Sequence, residues 1–369
     1  MIQKISMAIP IGQRINCPII IGANLYDFSA WLPKLAFQQI VIITDHTVKK
    51  LCGLQLQNCL QQAGYQNLLF SFPAGEKLKN YKTKQMLEEN MQLQHCNRDT
   101  LIIALGGGVV GDLAGFIAAN YLRGVPYIQI PTTLLAMVDS SIGGKTGINT
   151  KYGKNLIGVT YQPLCVVIDV RLLNTLSKIN IINGLIEAIK IFLTYDANSF
   201  HYVVSQLSYL IQKKENVLKK IITRAVKIKA VIVSRDEKEQ GERSVLNFGH
   251  TIGHALEKIS NYTLLHGYAV AYGILVEANI SHLLGILDKK ILLSIKNLFA
   301  QLGVHGKDLQ KYNPVEILQA TKIDKKVRSG KVHYTLLRDI GSIHISEDNY
   351  VHPVTDLIVN LAIKKTIEE

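Results

Sequence analysis

The sequence predicts an α/β N-terminal domain built on a largely parallel sheet, followed by a mostly α-helical C-terminal domain. Three observations carry this reading. Short apolar, β-branched runs alternate with helical patterns through residues 1–172. Long amphipathic stretches replace them over 173–369. A length of 369 residues suits two domains, each with a core of its own.

The strand runs lie at 17–22, 40–45, 67–73, 100–106, 125–131 and 165–170. Helical patterns at 47–63, 80–95 and 109–120 separate several of them. Strands covered by helices on both faces lose the alternation of apolar and polar residues, so these uninterrupted runs point to a parallel sheet. In the second half, 181–195, 198–232, 248–260, 266–285 and 289–302 read as amphipathic helices. The only later strand signal is the weak KVHYTLLRDIGSIHIS. The crevice between two such domains is the expected place for a site.

Composition narrows the function. Apolar residues make up 48% and charged residues 19%, which excludes a disordered chain. The most apolar stretch, LIIALGGGVVGDLAGFIAA, carries Asp112 and five glycines, so no membrane span is expected. The first residues lack the pattern of a secretory signal. Five cysteines form no CxxC and read as reduced thiols of a cytoplasmic protein. Lys and Arg exceed Asp and Glu by 41 − 28 = 13. The lysines are dispersed and no basic block interleaves with aromatics. An anionic small-molecule substrate is therefore expected before nucleic acid.

The segment LIIALGGGVVGDLAGFIAANY reads as strand, glycine turn and helix. Gly106, Gly108 and Gly111 fit G-x-G-x-x-G. Glycines there let the backbone approach a pyrophosphate at a helix N-terminus, where unpaired N–H groups favour an anion. A dinucleotide-binding domain is the functional expectation; a turn that only packs its helix tightly is the structural one. No acid follows about 20 residues later to hold a ribose. Asp45, ending the run at 40–45, is the upstream candidate.

The stretch at 129–158 follows a strand and is dense in small polar groups, among them Thr132, Thr133, Asp139, Ser140, Lys145, Lys154 and Asn155. It reads as a long functional loop. Lys145 and Lys154 offer ammonium groups to a phosphate, or are simply solvated. In SFPAGEKLKNYKT, Glu76 caps the following helix or holds a cofactor hydroxyl, and capping is the simpler reading. In LNFGHTIGHALE, His250 and His254 share one helical face. They are a metal pair, a substrate clamp or packed core side chains. His266 follows in TLLHGYAVAYG, and Glu187 lies upstream in GLIEAIK. Imidazole nitrogen and carboxylate oxygen are zinc ligands, so the C-terminal domain is expected to bind metal.

Together, GGGVVGDLAGFIAANYLRGVPYIQIPTTLLAMVDSSIGGKTGINTKYGKNLIGVTYQP, ERSVLNFGHTIGHALE and LHGYAVAYG resemble the 3-dehydroquinate synthase family of sugar-phosphate cyclases, over roughly residues 40–345. The resemblance implies an NAD site lined by Asp45, Glu76, Lys79, Gly107, Gly108, Val109, Asp112, Thr132, Thr133, Lys145, Lys154 and Thr175. It implies Glu187, His250 and His266 as ligands of Zn2+, with Co2+ able to replace it. His254 then faces the substrate phosphate with Lys145, Asn155, Asn247 and Lys325 or Lys326. Lys229 and Arg243 meet the substrate's charged ends, and Asp139 also belongs to the substrate set. The catalytic set is Lys145, Lys190, Lys229, Arg243, Asn247 and His254. Arg123 reaches over from a second subunit, which implies a homodimer. The implied reaction turns 3-deoxy-D-arabino-heptulosonate 7-phosphate into 3-dehydroquinate and phosphate in the shikimate pathway.

Three positions depart from the family pattern. Asn180 and Tyr268 stand where the family has glutamates, and Phe192 where it has a glycine. The rival readings are a related sugar-phosphate cyclase, a metal-dependent oxidoreductase of the glycerol dehydrogenase type, and an inactive relative.

Overall fold

The computed structural model describes residues 2–11, 13–32, 37–322, 327–328 and 331–368. The chain forms two compact units. The first comprises Met1–Ile181 and Leu218–Ser234, and the second Ile182–Val217 and Arg235–Glu369. A single cut at 172 therefore does not separate them, because a helical segment from the second half packs with the first.

The first unit is built on a seven-stranded sheet. Its strands are β1 (Gln3–Ile11), β2 (Gln13–Ile21), β3 (Gln39–Asp45), β4 (Asn67–Phe72), β5 (Thr100–Gly106), β6 (Tyr127–Pro131) and β9 (Val166–Ile168). The order is β1-β2-β9-β6-β5-β3-β4, and every pair except the β1–β2 hairpin is parallel. Successive side chains of a strand point to opposite faces. Accordingly Ile40, Ile42, Leu101 and Ile103 enter one core, and Val41, Ile43, Ile102 and Ala104 the other. Both faces are buried, which is why β3 and β5 read as unbroken apolar runs.

Helices α1 (His46–Val48), α2 (Leu54–Gln62), α3 (Tyr81–Leu93) and α4 (Gly108–Asn120) cover the sheet. Asp45 caps α1, accepting from the Thr47 and Val48 amides at 2.8 and 3.0 Å. Asn80 caps α3 by accepting from Thr83 N at 3.0 Å. The cap expected of Glu76 is thus supplied four residues later.

The polar stretch at 129–158 is not one long loop. It contains a helical turn at Ala136–Ser140 and then a hairpin of β7 (Lys145–Thr150) and β8 (Gly153–Thr160). A Cβ at Gly158 would lie 2.1 Å from Thr146 O, so the hairpin's close backbone approach demands glycine. Leu156, Ile157 and Val159 on β8 are exposed, so this strand has no core face to announce it.

Helices α5 (Lys178–Tyr195), α6 (Ala197–Ile211) and α7 (Glu215–Arg235) follow. The expected single stretch at 198–232 is broken between α6 and α7, where Lys213 takes a positive φ of 60°. The second unit adds α8 (His250–Ile259), α9 (His266–Leu283), α10 (Lys289–Gln301), α11 (Pro314–Thr321) and α12 (Asp356–Glu368). Short strands within 331–353 confirm the weak strand signal. Among the described residues, no helix is long and apolar enough to cross a membrane.

Helices α8 and α9 cross at glycines. Gly249 precedes α8 with φ +79°, and a Cβ on Gly273 of α9 would lie 1.8 Å from Gly249 O. Buried Glu277 of α9 accepts from Gly249 N at 2.8 Å, and Asn183 of α5 accepts from Gly267 N at 2.7 Å. These contacts fix the histidine-bearing start of α8 against the middle of α9, and the histidine-bearing start of α9 against α5.

Candidate active site

In the first unit, the strand–turn–helix reading holds in detail. β5 ends at Gly106 and α4 begins at Gly108, after an extended Gly107. Thr132 N donates to Gly106 O at 2.9 Å. A Cβ on Gly107 would lie 3.2 Å from Thr133 Cγ2, and one on Gly108 would lie 3.0 Å from Ser140 Oγ. The turn therefore packs against β6 and its following segment, and also presents the amides of a helix N-terminus suited to an anion.

Beside it lies an ion cluster. Lys79, only 4% exposed, sits 3.0 Å from Asp112 Oδ2 on α4 and 3.2 Å from Glu76 Oε1. Asn149 of β7 donates to the same Glu76 oxygen at 2.7 Å. Burial pushes the Lys79 pKa down, but Asp112 and Glu76 outweigh it and hold the ammonium above its ordinary value. The structure thus brings Glu76, Lys79, Asp112, Gly107, Gly108, Thr132 and Thr133 into one neighbourhood. Val109 follows in the first turn of α4. Thr175 is exposed, and its hydroxyl donates to Leu172 O at 3.1 Å.

Lys229 of α7 reaches Asp139, at 2.5 Å from Oδ1 and 2.7 Å from the carbonyl. Asn155 has a φ of +54° and donates its N–H to Asn149 Oδ1 at 3.0 Å. Lys145 opens β7 with an exposed side chain, and Lys154 lies in β8. Arg123 stands in a turn where it and Leu122 have φ of +67° and +49°. Such left-handed residues cost of order 1 kcal/mol each and recur at functional positions. Lys325 and Lys326 lie outside the described residues.

In the second unit, α5, α8 and α9 converge on a second cluster. Glu187 is fully buried. Its Oε1 lies 3.8 Å from His250 Nε2 and 3.7 Å from His266 Nε2, and accepts no hydrogen bond among the described residues. Its Oε2 lies 2.6 Å from Lys190 Nζ, itself buried. The three ligand atoms of Glu187, His250 and His266 all lie within 4.8 Å of one another. A tetrahedral zinc with bonds of about 2.1 Å spaces its ligands about 3.4 Å apart, so this set could close on one divalent ion with small shifts. His254 stands one turn beyond His250, with ring centroids 5.4 Å apart, and lies outside the three-residue set.

The turn before α8 carries Arg243 and Asn247. Arg243 is buried and donates from Nη1 to Glu237 O at 2.5 Å, while Asn247 donates to Glu239. Asp236 gathers the turn, accepting from Gln240, Gly241 and Arg243 amides at 2.9, 2.8 and 3.0 Å. Partial burial opposes ionisation, but the three amides outweigh it and draw the Asp236 pKa below the ordinary carboxylate value. A depressed folded-state pKa gives stability that is present above the unfolded value and lost as pH falls through the folded one. Melting temperature measured from pH 6 down to 3 should show an acid limb below about pH 4, and Asp236→Asn should flatten part of it.

A 3-dehydroquinate synthase N-terminal family model matches residues 69–183, and the C-terminal model matches 184–327. The chain belongs to the 3-dehydroquinate synthase family. A 3-dehydroquinate synthase from Caldanaerobacter subterraneus subsp. tengcongensis is 43% identical over 305 residues, covering 82% of this chain and 85% of the relative. One from Nitrosomonas europaea is 42% identical, covering 92% and 93%. A solved structure of 2-epi-5-epi-valiolone synthase from Streptomyces hygroscopicus subsp. jinggangensis, with NAD+ and Zn2+ bound, superposes with a TM-score of 0.87 at 27% identity, covering 96% of this chain and 98% of that one.

Against this 3-dehydroquinate synthase background, the departures find ordinary places. Phe192 is buried in α5, filling space in the core. Burial raises the pKa of Tyr268, so its phenol stays neutral where the family pattern has a carboxylate. Asn180 lies in the first turn of α5, its amide bonded to Ser177. Three functional candidates escape sequence reasoning. Asn183 and Glu277 support the histidine-bearing helix ends, and nothing in their spacing marks them. Glu257 contacts His266 Nδ1 at 3.3 Å, and its position seven residues after His250 is the signal that could have found it.

Proposed function

We propose that this family member converts 3-deoxy-D-arabino-heptulosonate 7-phosphate to 3-dehydroquinate and phosphate as an NAD- and divalent-metal-dependent carbon–oxygen lyase. The observation that carries the proposal is the convergence of Glu187, His250 and His266 in a chain so similar to named 3-dehydroquinate synthases. The residues fit a resident ion. Glu187 brings a buried oxygen with no hydrogen-bond donor among the described residues, both histidines turn Nε2 toward it, and the donor set of one carboxylate and two imidazoles suits Zn2+, with Co2+ as a substitute. The glycine turn and the Glu76–Lys79–Asp112 cluster fit a dinucleotide.

The Gly107–Gly108 turn with Glu76, Lys79 and Asp112 would hold the dinucleotide, which would supply reversible hydride acceptance at C5, and Glu187, His250 and His266 would hold the divalent ion, which would supply Lewis-acid polarisation of the hydroxyl there. The chain's own residues bind and orient. Lys190 places a positive charge against Glu187 in a buried site, where burying a lone carboxylate would be costly. Arg243 is held in place by the Asp236 turn, with its guanidinium assigned to the substrate carboxylate. His254 and Asn247 donate to the phosphate, whose own oxygen takes the C6 proton acidified by the neighbouring ketone as the C–O bond to phosphate breaks. Lys229, positioned by Asp139, contributes charge, as do Lys145 and Asn155. Most of this work is positioning and charge stabilisation. The proposal extends to a place in the shikimate pathway, a cytoplasmic location and a homodimer in which Arg123 serves the other subunit.

One assay tests this reading. With a trace of NAD+, the heptulosonate phosphate should release many equivalents of phosphate with no net rise in absorbance at 340 nm. A strong chelator should stop the release, and Zn2+ or Co2+ should restore it. Stoichiometric accumulation of NADH would instead assign a net oxidoreductase, and metal binding without phosphate release would assign an inactive relative.

A further inference from the structure

We infer that Glu257 is a positioning residue: its carboxylate fixes the ring and tautomer of His266 so that Nε2 is the nitrogen offered to the ion. The inference rests on the metal reading above. Glu257 lies on α8, seven residues after His250, so both side chains leave one face of that helix. It is only 3% exposed, and a carboxylate buried that far needs a strong partner. Its Oε2 lies 3.3 Å from His266 Nδ1, while the opposite nitrogen of the same ring lies 3.7 Å from Glu187 Oε1.

A neutral imidazole carries one N–H. A carboxylate at Nδ1 draws the proton to that side and leaves the Nε2 lone pair for a cation. The other histidine follows the same plan with a weaker acceptor, since His250 Nδ1 faces Phe248 O at 3.3 Å and its Nε2 faces Glu187. The two histidines differ in how packing holds them. The His250 side chain is 10% exposed and that of His266 is 28% exposed. His266 is also the first residue of α9, preceded by the turn after α8. The ligand least restrained by packing is the one given a charged tether. Glu257 also adds negative charge next to Glu187, whose own charge is partly offset by Lys190, and so makes the cluster more attractive to a divalent cation.

Zinc affinity of the full-length protein, measured by competition with a chromophoric chelator, tests this. Glu257→Ala should weaken binding by about 10- to 100-fold, the range for lost partners of metal-bound histidines. Glu257→Gln keeps an acceptor without the charge and should fall between wild type and Glu257→Ala. The visible spectrum of the Co2+-loaded protein should change in Glu257→Ala, because a loosened His266 alters the coordination geometry. If Glu257→Ala does not fold, Glu257→Gln decides alone through both measurements. Wild-type affinity and an unchanged cobalt spectrum in a folded variant would overturn the positioning role while leaving the metal reading intact. If wild type and Glu187→Gln bind zinc equally, the metal reading itself fails, and this role with it.

Discussion

Glu187→Gln should leave the purified protein without bound metal and lower phosphate release by about a thousandfold or more. The substitution keeps the shape of the side chain and removes its charge. Lewis-acid polarisation supplies several kcal/mol of transition-state stabilisation, and about 1.4 kcal/mol corresponds to each factor of ten in rate. A second effect must be separated from the first. Lys190 Nζ, 2.6 Å from Glu187, would lose its counter-charge in a buried site, and breaking such a pair commonly costs about 3–5 kcal/mol of stability. Replacing both members by uncharged residues is far better tolerated. The double variant Glu187→Gln/Lys190→Met should therefore melt closer to wild type and still lack metal and activity. Metal content by elemental analysis, melting temperature and turnover distinguish the two losses. Wild-type turnover in Glu187→Gln would remove the proposed metal centre from the reaction.

Gly273→Ala should be among the most destabilising single-methyl additions in the protein, at about 3 kcal/mol or more. The added Cβ would lie 1.8 Å from Gly249 O and 2.7 Å from Gly249 C. These are backbone atoms, so no rotamer change relieves the overlap, and α8 must move away from α9. Gly249 immediately precedes His250, and its own φ of +79° leaves it little room to adapt. The metal set should loosen along with the fold. Gly285→Ala is the comparison. Unlike Gly273, it has a positive φ of +72°, and no described atom lies within 4 Å of the new Cβ, so it should cost only about 1–2 kcal/mol of backbone strain. Thermal melts should rank the two, with Gly273→Ala lower by several degrees. Equal melting temperatures would mean that the helices separate without cost.

The sequence is most legible where burial is uniform. β3 and β5 are covered on both faces, so their residues form apolar runs that need no knowledge of neighbours. β1, with Lys4, Ser6 and Pro10 in its span, carries no such run. β8 escapes notice for the opposite reason, since its apolar residues face out and its glycines answer to the backbone of β7. The break between α6 and α7 rests on one left-handed lysine, which amphipathic periodicity does not encode.

The metal cluster shows the same limit. Helical spacing presents His250 and His254 as equivalent. The choice of His266 over His254 depends on how α9 crosses α8, which helical spacing does not encode. Glu257 shares the face of His250 and His254, yet an acid at that spacing is usually an ordinary exposed helix residue. The pairing of Lys229 with Asp139 spans 90 positions and leaves no local trace.

The residues Leu218–Ser234 belong to the first unit although the chain enters the second at Ile182. A ribosome releasing this polypeptide thus delivers all seven strands of the sheet early and the first unit's last helical segment much later. The first unit must wait, incomplete, while some 36 intervening residues (Ile182–Val217) are synthesised, about 2–7 s at ordinary elongation rates. A fragment ending near residue 172 or 181 would carry the same deficit permanently. Nascent-chain chaperones should engage this protein most during that interval, and any split into separately expressed halves should be placed beyond Ser234.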